Sequence, residues 1–279
     1  MPTNIEQPEF VRMVSGERRV GPTLASVSRS WQNDKECFLM VSPHDDDVAL
    51  GAGLFIQLAC RDKIPVHILI VTDGSMGYCD PNERDNIAEI RQAETLECYQ
   101  KLGVPRDNIT FLGFPSGVIN DFLGRFPAPS YSKLNIKGYT GLQNAFTWHL
   151  RRIRPTQCFL PTNNDFHPAH RLVYDEFLIS LFHASGRIWP ELGQPLPKIS
   201  WLCEMAVYCD FASAPTLRIQ TPPDMLEAKL AAIAAFRSQK QIVALVNNIR
   251  SGGPLEFFRA IEYKFYNPKR YYDLFEPKM

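Results

Sequence analysis

From residue 37 onward, apolar runs of strand length alternate with segments of helical length, and this alternation limits the fold more than any other property of the chain. Residues 37–42 (Cys-Phe-Leu-Met-Val-Ser), 66–72 (Val-His-Ile-Leu-Ile-Val-Thr), 109–113, 157–161 and 199–208 read as buried strands. Residues 48–61, 84–102, 139–152, 168–185 and 225–240 read as helices, with Gly51 and Gly53 allowing close packing of the first. Strands and helices in this order predict an α/β fold: a Rossmann-like, mostly parallel sheet covered by helices on both faces. Ligands of such sheets bind outside the carboxyl ends of the strands, so chemistry is expected immediately after a strand. At 279 residues, one large domain is favoured over two. Residues 1–36 lack periodicity and are expected as an N-terminal extension, with residues 37–279 forming the single domain.

Two motifs meet the strand-end condition. Pro43-His44-Asp45-Asp46-Asp47 follows strand 37–42 and precedes a helix. One imidazole and three carboxylates in four consecutive positions repel each other and lose hydration unless a cation joins them. The helix dipole favours an acid or two at such a place, but it does not call for a histidine ahead of three aspartates. His44 and Asp47 are three apart, so a first helical turn puts them on one side. The second motif, Asp165-Phe166-His167-Pro168-Ala169-His170, follows strand 157–161. Pro168 suits the first turn of a helix, and His167 and His170 repeat the i, i+3 spacing. Alone, the pair reads as two loop histidines. Yet three of the chain's six histidines fall in these two motifs, and together they point to a divalent metal.

Imidazole and carboxylate donors suit zinc, with iron(II) the alternative. Three protein ligands leave a position for water, as catalytic zinc sites do. A neighbouring unligated carboxylate can then take a proton from that water, and a protonated His167 can stabilise the oxyanion formed at a carbonyl.

These residues resemble the LmbE-like, or PIG-L-type, zinc-dependent N-acetylglucosaminyl deacetylases. That family carries His-Pro-Asp-Asp after its first strand and His-x-x-His after a later one. Here they stand as His44-Asp45-Asp46-Asp47 and His167-Pro168-Ala169-His170. By position, the resemblance implies His44, Asp47 and His170 as zinc ligands, Asp46 as general base, and His167 as the oxyanion-stabilising or acid histidine. It extends through Val71-Thr72-Asp73-Gly74, Arg91 and Glu94 followed by Leu102-Gly103, Leu112-Gly113-Phe114-Pro115-Ser116-Gly117, and a late Lys229…Ser238-Gln239 segment. Two departures stand out: Asp45 replaces the usual proline, and Ala169 replaces an aspartate that can orient a neighbouring histidine. Asp165 is a candidate to compensate. Arg91, through the resemblance, and Asp165 are candidate substrate contacts.

The implied reaction is removal of an N-acetyl group from an N-acetylglucosamine-type conjugate, releasing acetate and a free amine. Two rivals stay open: a metal-dependent phosphoesterase, for which Asp73 is the obvious extra ligand, and a non-catalytic metal- or sugar-binding module. Thirty basic and thirty acidic residues cancel, which argues against nucleic acid and membrane partners and leaves a small-molecule acetamido sugar conjugate. The first twenty residues lack a secretory apolar run, and seven cysteines form no CxxC, so a reduced, cytoplasmic protein is expected. Arg151, Arg152 and Arg154 read as the basic end of a helix. The aromatic-rich segment from Phe257 to Phe275 is expected to pack on the core or on a second subunit, leaving a homo-oligomer open.

Overall fold

The computed structural model describes residues 5–14, 16–28, 30–262 and 266–275. The chain opens with strands β1 (Glu9–Val14) and β2 (Glu17–Gly21) and a short helix α1 (Leu24–Val27). The predicted alternation follows: β3 (Phe38–Ser42), α2 (Asp47–Arg61), β4 (Val66–Thr72), α3 (Ile87–Lys101) and β5 (Ile109–Phe114). After a two-residue pair, β6 (Phe126–Pro127) and β7 (Tyr139–Thr140), come α4 (Leu142–Ile153), β8 (Gln157–Pro161), α5 (Pro168–Ser185) and β9 (Trp201–Met205). The remainder comprises β10 (Leu217–Gln220), α6 (Pro223–Ile233), α7 (Val243–Gly252), β11 (Leu255–Ile261) and α8 (Tyr272–Phe275).

One sheet of nine strands runs in the order β2-β1-β10-β11-β9-β8-β3-β4-β5. From β9 to β5 neighbouring strands are parallel. From β9 to β2 they are antiparallel. Residues 9–21, expected as an extension, thus add two strands to the sheet through the pairing of β1 with β10. The aromatic-rich segment divides: residues 257–261 lie within β11, residues 263–265 fall outside the described residues, and Tyr272, Leu274 and Phe275 of α8 are exposed.

Side chains alternate across β3 and sort the core into two layers. Phe38 and Met40 pack with Ala52, Phe55 and Ile56 of α2 and Cys98 and Tyr99 of α3. Leu39 and Val41 pack with Phe146 and Leu150 of α4 and Val173 and Phe177 of α5. In the first layer Phe38, Phe55, Phe159 and Phe258 meet at centroid separations from 4.7 to 5.8 Å, in the tilted and edge-on arrangements that ring quadrupoles favour.

Three local features differ from the sequence reading. The strand expected over 199–208 ends at Met205, and residues 206–208 leave the sheet, carrying Tyr208 toward the strand ends. The helix expected over 225–240 ends at Ile233, because Glu94 takes the N–H and hydroxyl of Ser238, at 2.9 and 2.7 Å, and pulls that segment into a turn. Arg151 stands in the last turn of α4, as expected of the basic end of a helix, but it is buried there. It is 4% exposed and donates to the carbonyls of His183, Ala184, Gly186, Ile188, Trp189 and Gly193 at 2.8 to 3.3 Å, clipping the turn after α5. Among the described residues no helix is long and apolar enough to cross a membrane.

Candidate active site

The chain winds β3, β4, β5 outward on one side and β8, β9 on the other, so the order reverses between β3 and β8. A crevice opens at such a switch point, where the loops leaving the two strands part. Both sequence motifs lie there.

The loop after β3 is held by its own polar groups. Ser42 donates its hydroxyl proton to the His44 carbonyl and accepts from Val48 N–H at 3.3 Å. Thr72, at the end of β4, donates from N–H and hydroxyl to the Pro43 carbonyl at 3.1 and 2.9 Å. Asp47 opens α2, and its Oδ2 accepts from the His44 N–H at 2.7 Å. The same Oδ2 lies 3.3 Å from His44 Nδ1 and 3.1 Å from His170 Nε2, and those two ring nitrogens are 3.1 Å apart. The His167 ring meets His44 edge-on, centroids 4.4 Å apart. Among the described residues the His44, His167 and His170 nitrogens form a cluster within 4.8 Å that could hold a metal, and Asp47 Oδ2 lies beside two of them, His44 and His170.

Asp46 stands where an aspartate often caps a helix, but its side chain caps nothing. It is 2% exposed, and its Oδ1 has no hydrogen-bond partner; nor has Asp47 Oδ1. Burial, with the charges of Asp45 and Asp47, pushes the Asp46 carboxyl up to about 7. Burial would raise Asp47 too, but the neighbouring His170 and His44 hold it well below the usual carboxylate range. For His170 burial is likewise outweighed, and Asp47 and Asp165 push it up to about 10. Burial, then the nearby His44 and His170, lower His167 to about 4.

The helix start at Pro168 arranges the second motif. His167 is the N-cap of α5, its Nδ1 accepting from Ala169 N–H at 3.2 Å, so the neutral ring carries its proton on Nε2. Asp165 stands behind the pair: its Oδ1 accepts from His167 N–H at 3.0 Å and its Oδ2 lies 3.1 Å from His170 Nδ1. It is 1% exposed.

Arg91 is buried against Asp45 in a two-pronged pair, Nε to Oδ2 at 2.8 Å and Nη2 to Oδ1, while Tyr99 OH donates to the Asp45 carbonyl at 2.9 Å. The acid that replaces the family's proline is therefore neutralised, and Arg91 reaches the adjoining pocket with its charge already matched. Asp73 is turned away into a loop, accepting from Ser75 and Ser116 N–H at 3.0 and 2.9 Å.

A pocket of about 560 Å³ lies over His44, Asp46 and His167. Polar groups line it at Thr72, Ser116, Asn120 and Gln241, and apolar ones at Met76, Ile119, Leu172 and Tyr208. Tyr208 was missed in the sequence: its ring lies 5.0 Å from that of His170 and 6.1 Å from that of His167. The signal was available, since Tyr208 follows a parallel strand, but a strand drawn to residue 208 concealed it.

Fold and site together define an α/β protein of the Rossmann-like type with an imidazole–carboxylate centre at its switch point. Residues 39–179 match the sequence model of the family described as GlcNAc-PI de-N-acetylase (PIG-L), and the chain belongs to that family, as its motifs imply. No curated protein sequence gives a significant match. Among solved structures, the conserved protein TT1542 from Thermus thermophilus is 25% identical with a TM-score of 0.63, over 83% of this chain and 97% of that one. The N,N'-diacetylchitobiose deacetylase from Pyrococcus horikoshii is 23% identical with a TM-score of 0.62, over 84% and 87% of the two chains. GalB, the 4-carboxy-2-hydroxymuconate hydratase from Pseudomonas putida, is 14% identical with a TM-score of 0.60, over 83% and 98%. The fold thus serves a hydratase as well as a deacetylase, and function must be argued from the site.

Proposed function

We propose that the protein is a metal-dependent amide hydrolase that removes the N-acetyl group of an N-acetylglucosamine-type conjugate. The observation that carries this reading is the convergence of His44 Nδ1, His170 Nε2 and Asp47 Oδ2 beside the buried, unpartnered Oδ1 of Asp46. Tetrahedral zinc with bonds of about 2.0–2.1 Å spaces its donors about 3.3 Å apart, and the three donors here lie 3.1 to 3.3 Å from one another. Two imidazoles and a carboxylate fit zinc, with iron(II) the alternative. His44, Asp47 and His170 are the proposed ligands. When bound, the ion supplies Lewis acidity for attack of water on the amide carbonyl.

The remaining steps belong to the chain. Asp46, buried at the pocket floor and displaced toward neutrality, accepts the proton of the attacking water at Oδ1. His167 presents Nε2–H to the carbonyl oxygen as it gains charge, because its Nδ1 is committed to the α5 N-terminus. Cleavage of the C–N bond needs a proton on the departing amine, and Asp46 delivers the one it took from the water, since the neutral His167 ring, rather than the protonated one expected from the sequence, has none to spare. Asp165 orients His170 rather than touching substrate. The family supports an acetamido sugar as substrate, and the pocket, wider than an acetyl group needs, supports a conjugate beyond it.

The test is acetate release from a panel of N-acetylglucosamine conjugates by protein of measured metal content. Asp46→Asn should keep its metal and lose about 10² to 10⁴ in turnover, the span for a general base. Unchanged turnover in Asp46→Asn would remove that assignment. Metal-loaded protein that releases no acetate from any conjugate would sink the acetamido-sugar reading.

A further inference from the structure

Helix α2 is broken one turn in. Ala52 has φ −141° and ψ 20°, outside the helical region. An unbroken helix would bond Leu54 N–H to the Leu50 carbonyl. Instead Leu54 and Phe55 donate to the two carboxylate oxygens of Glu256, each at 2.8 Å, and the Leu50 carbonyl accepts from Lys229 Nζ at 2.7 Å. Lys229 Nζ also lies 2.8 Å from Glu256 Oε1. An ion pair from α6 and β11 is therefore spliced into the gap, each member replacing one half of a missing helical bond. Gly53 leaves room for it, since a Cβ there would come within 2.9 to 3.1 Å of Lys229 Cγ, Cδ and Cε.

Lys229 and Glu256 are 1% and 4% exposed, and burying such a pair carries a heavy desolvation cost that a continuous apolar helix would avoid. What the break provides is a separate first turn. Asp46 and Asp47 lead that turn, which packs in the core through Val48, Ala49 and Leu50, and the rest of α2 packs beyond the break through Phe55, Ile56 and Ala59.

We infer that Lys229 and Glu256 are positioning residues, holding the break in α2 so that its first turn presents Asp46 and Asp47 to the site. The inference rests on the proposed roles of Asp46 and Asp47. It ties the chemistry to two elements beyond the matched residues 39–179.

The experiment compares Lys229→Met with Arg151→Met, a control that also strips a buried cation from several carbonyls. Arg151 ends the helix that leads into β8, at the opposite end of the sheet from the site. Two quantities are read well below both melting temperatures: zinc affinity by chelator competition, and amide exchange at residues 48–50 in the metal-free protein. Lys229→Met should weaken zinc binding and speed that exchange by about tenfold or more, the lower end for groups that orient metal ligands. Arg151→Met should leave both within about twofold. If Lys229→Met matches wild type in both while melting earlier, or if Arg151→Met shifts both equally, the pair is merely structural and the inference is overturned. Should Lys229→Met fail to fold, Glu256→Gln, which keeps an acceptor for only one of the two N–H groups, is judged by the same criteria. Wild type that binds no zinc would overturn the metal reading alone, because exchange still decides whether the pair holds the turn.

Discussion

Replacing Asp165 with asparagine exchanges one acceptor oxygen for a donor nitrogen and leaves the shape of the side chain intact. The structure fixes which oxygen is lost. Oδ1 accepts from His167 N–H at 3.0 Å, a bond an asparagine oxygen can keep, so the amide nitrogen takes the place of Oδ2, 3.1 Å from His170 Nδ1. With aspartate, Nδ1 keeps its proton, so the one a metal displaces is that on Nε2, whose lone pair then faces Asp47 and His44. With asparagine, Nδ1 must accept, and the proton moves to Nε2, where it competes with a metal. Disrupting the group that orients a ligating histidine weakens metal binding by about 10- to 100-fold, or about 1.4 to 2.7 kcal/mol. The assay is a competition titration of zinc against a chromophoric chelator at pH 7.5 or thereabouts, with the melting temperature followed alongside. Zinc affinity within about twofold of wild type in a folded Asp165→Asn protein would refute the tautomer reasoning, and with it the placing of His170 Nε2 toward the metal.

Two further outcomes follow from buried charge. Arg91→Met leaves Asp45 buried without its partner and should cost about 3 to 5 kcal/mol in denaturant unfolding, whereas Arg91→Met with Asp45→Leu should recover much of that loss; equal losses in the single and double variants would contradict it. Burial and the nearby Arg152 lower His149 to about 4. The unfolded chain therefore takes up that proton first as pH falls, so stability is whole above about 6.5 and declines toward pH 4 by at most about 3 kcal/mol. His149→Gln should remove this component of the pH slope, and an unaltered slope would assign the acid sensitivity elsewhere.

The parallel part of the fold was legible because its strands are continuous apolar runs. Residues 37–42 and 157–161 announce burial on both faces, and the motifs that follow them are local in the chain. The antiparallel side was not. Glu17–Gly21 reads Glu-Arg-Arg-Val-Gly and is largely exposed, so no apolar pattern marks it as a strand; only pairing to β1 makes it one. The same limit hid the supports of the site. Asp45 meets Arg91 across 46 positions, and Leu54 meets Glu256 across 202, distances over which no spacing rule operates. Arg151 shows the limit from the other side: helix position alone favours a solvated cation, and only the turn folded over it reveals six carbonyls in need of a donor.

The placement of β11 between β9 and β10 sets an order of events during synthesis. Phe10 and Val11 leave the ribosome about 200 residues ahead of their partners in β10, Ile219 and Arg218, and β10 is tied to the parallel strands only through β11. At about 5 to 20 residues per second, the roughly 200 intervening residues take about 10 to 40 s to appear. Through that interval β1 has its hairpin partner β2 but no strand on its other edge, while the parallel strands β3, β4, β5 and β8 can already assemble around the histidine motifs. The candidate site can thus be framed before its sheet is closed, and β11, made after β10, carries Glu256 into place and ties β10 and β1 to the parallel strands.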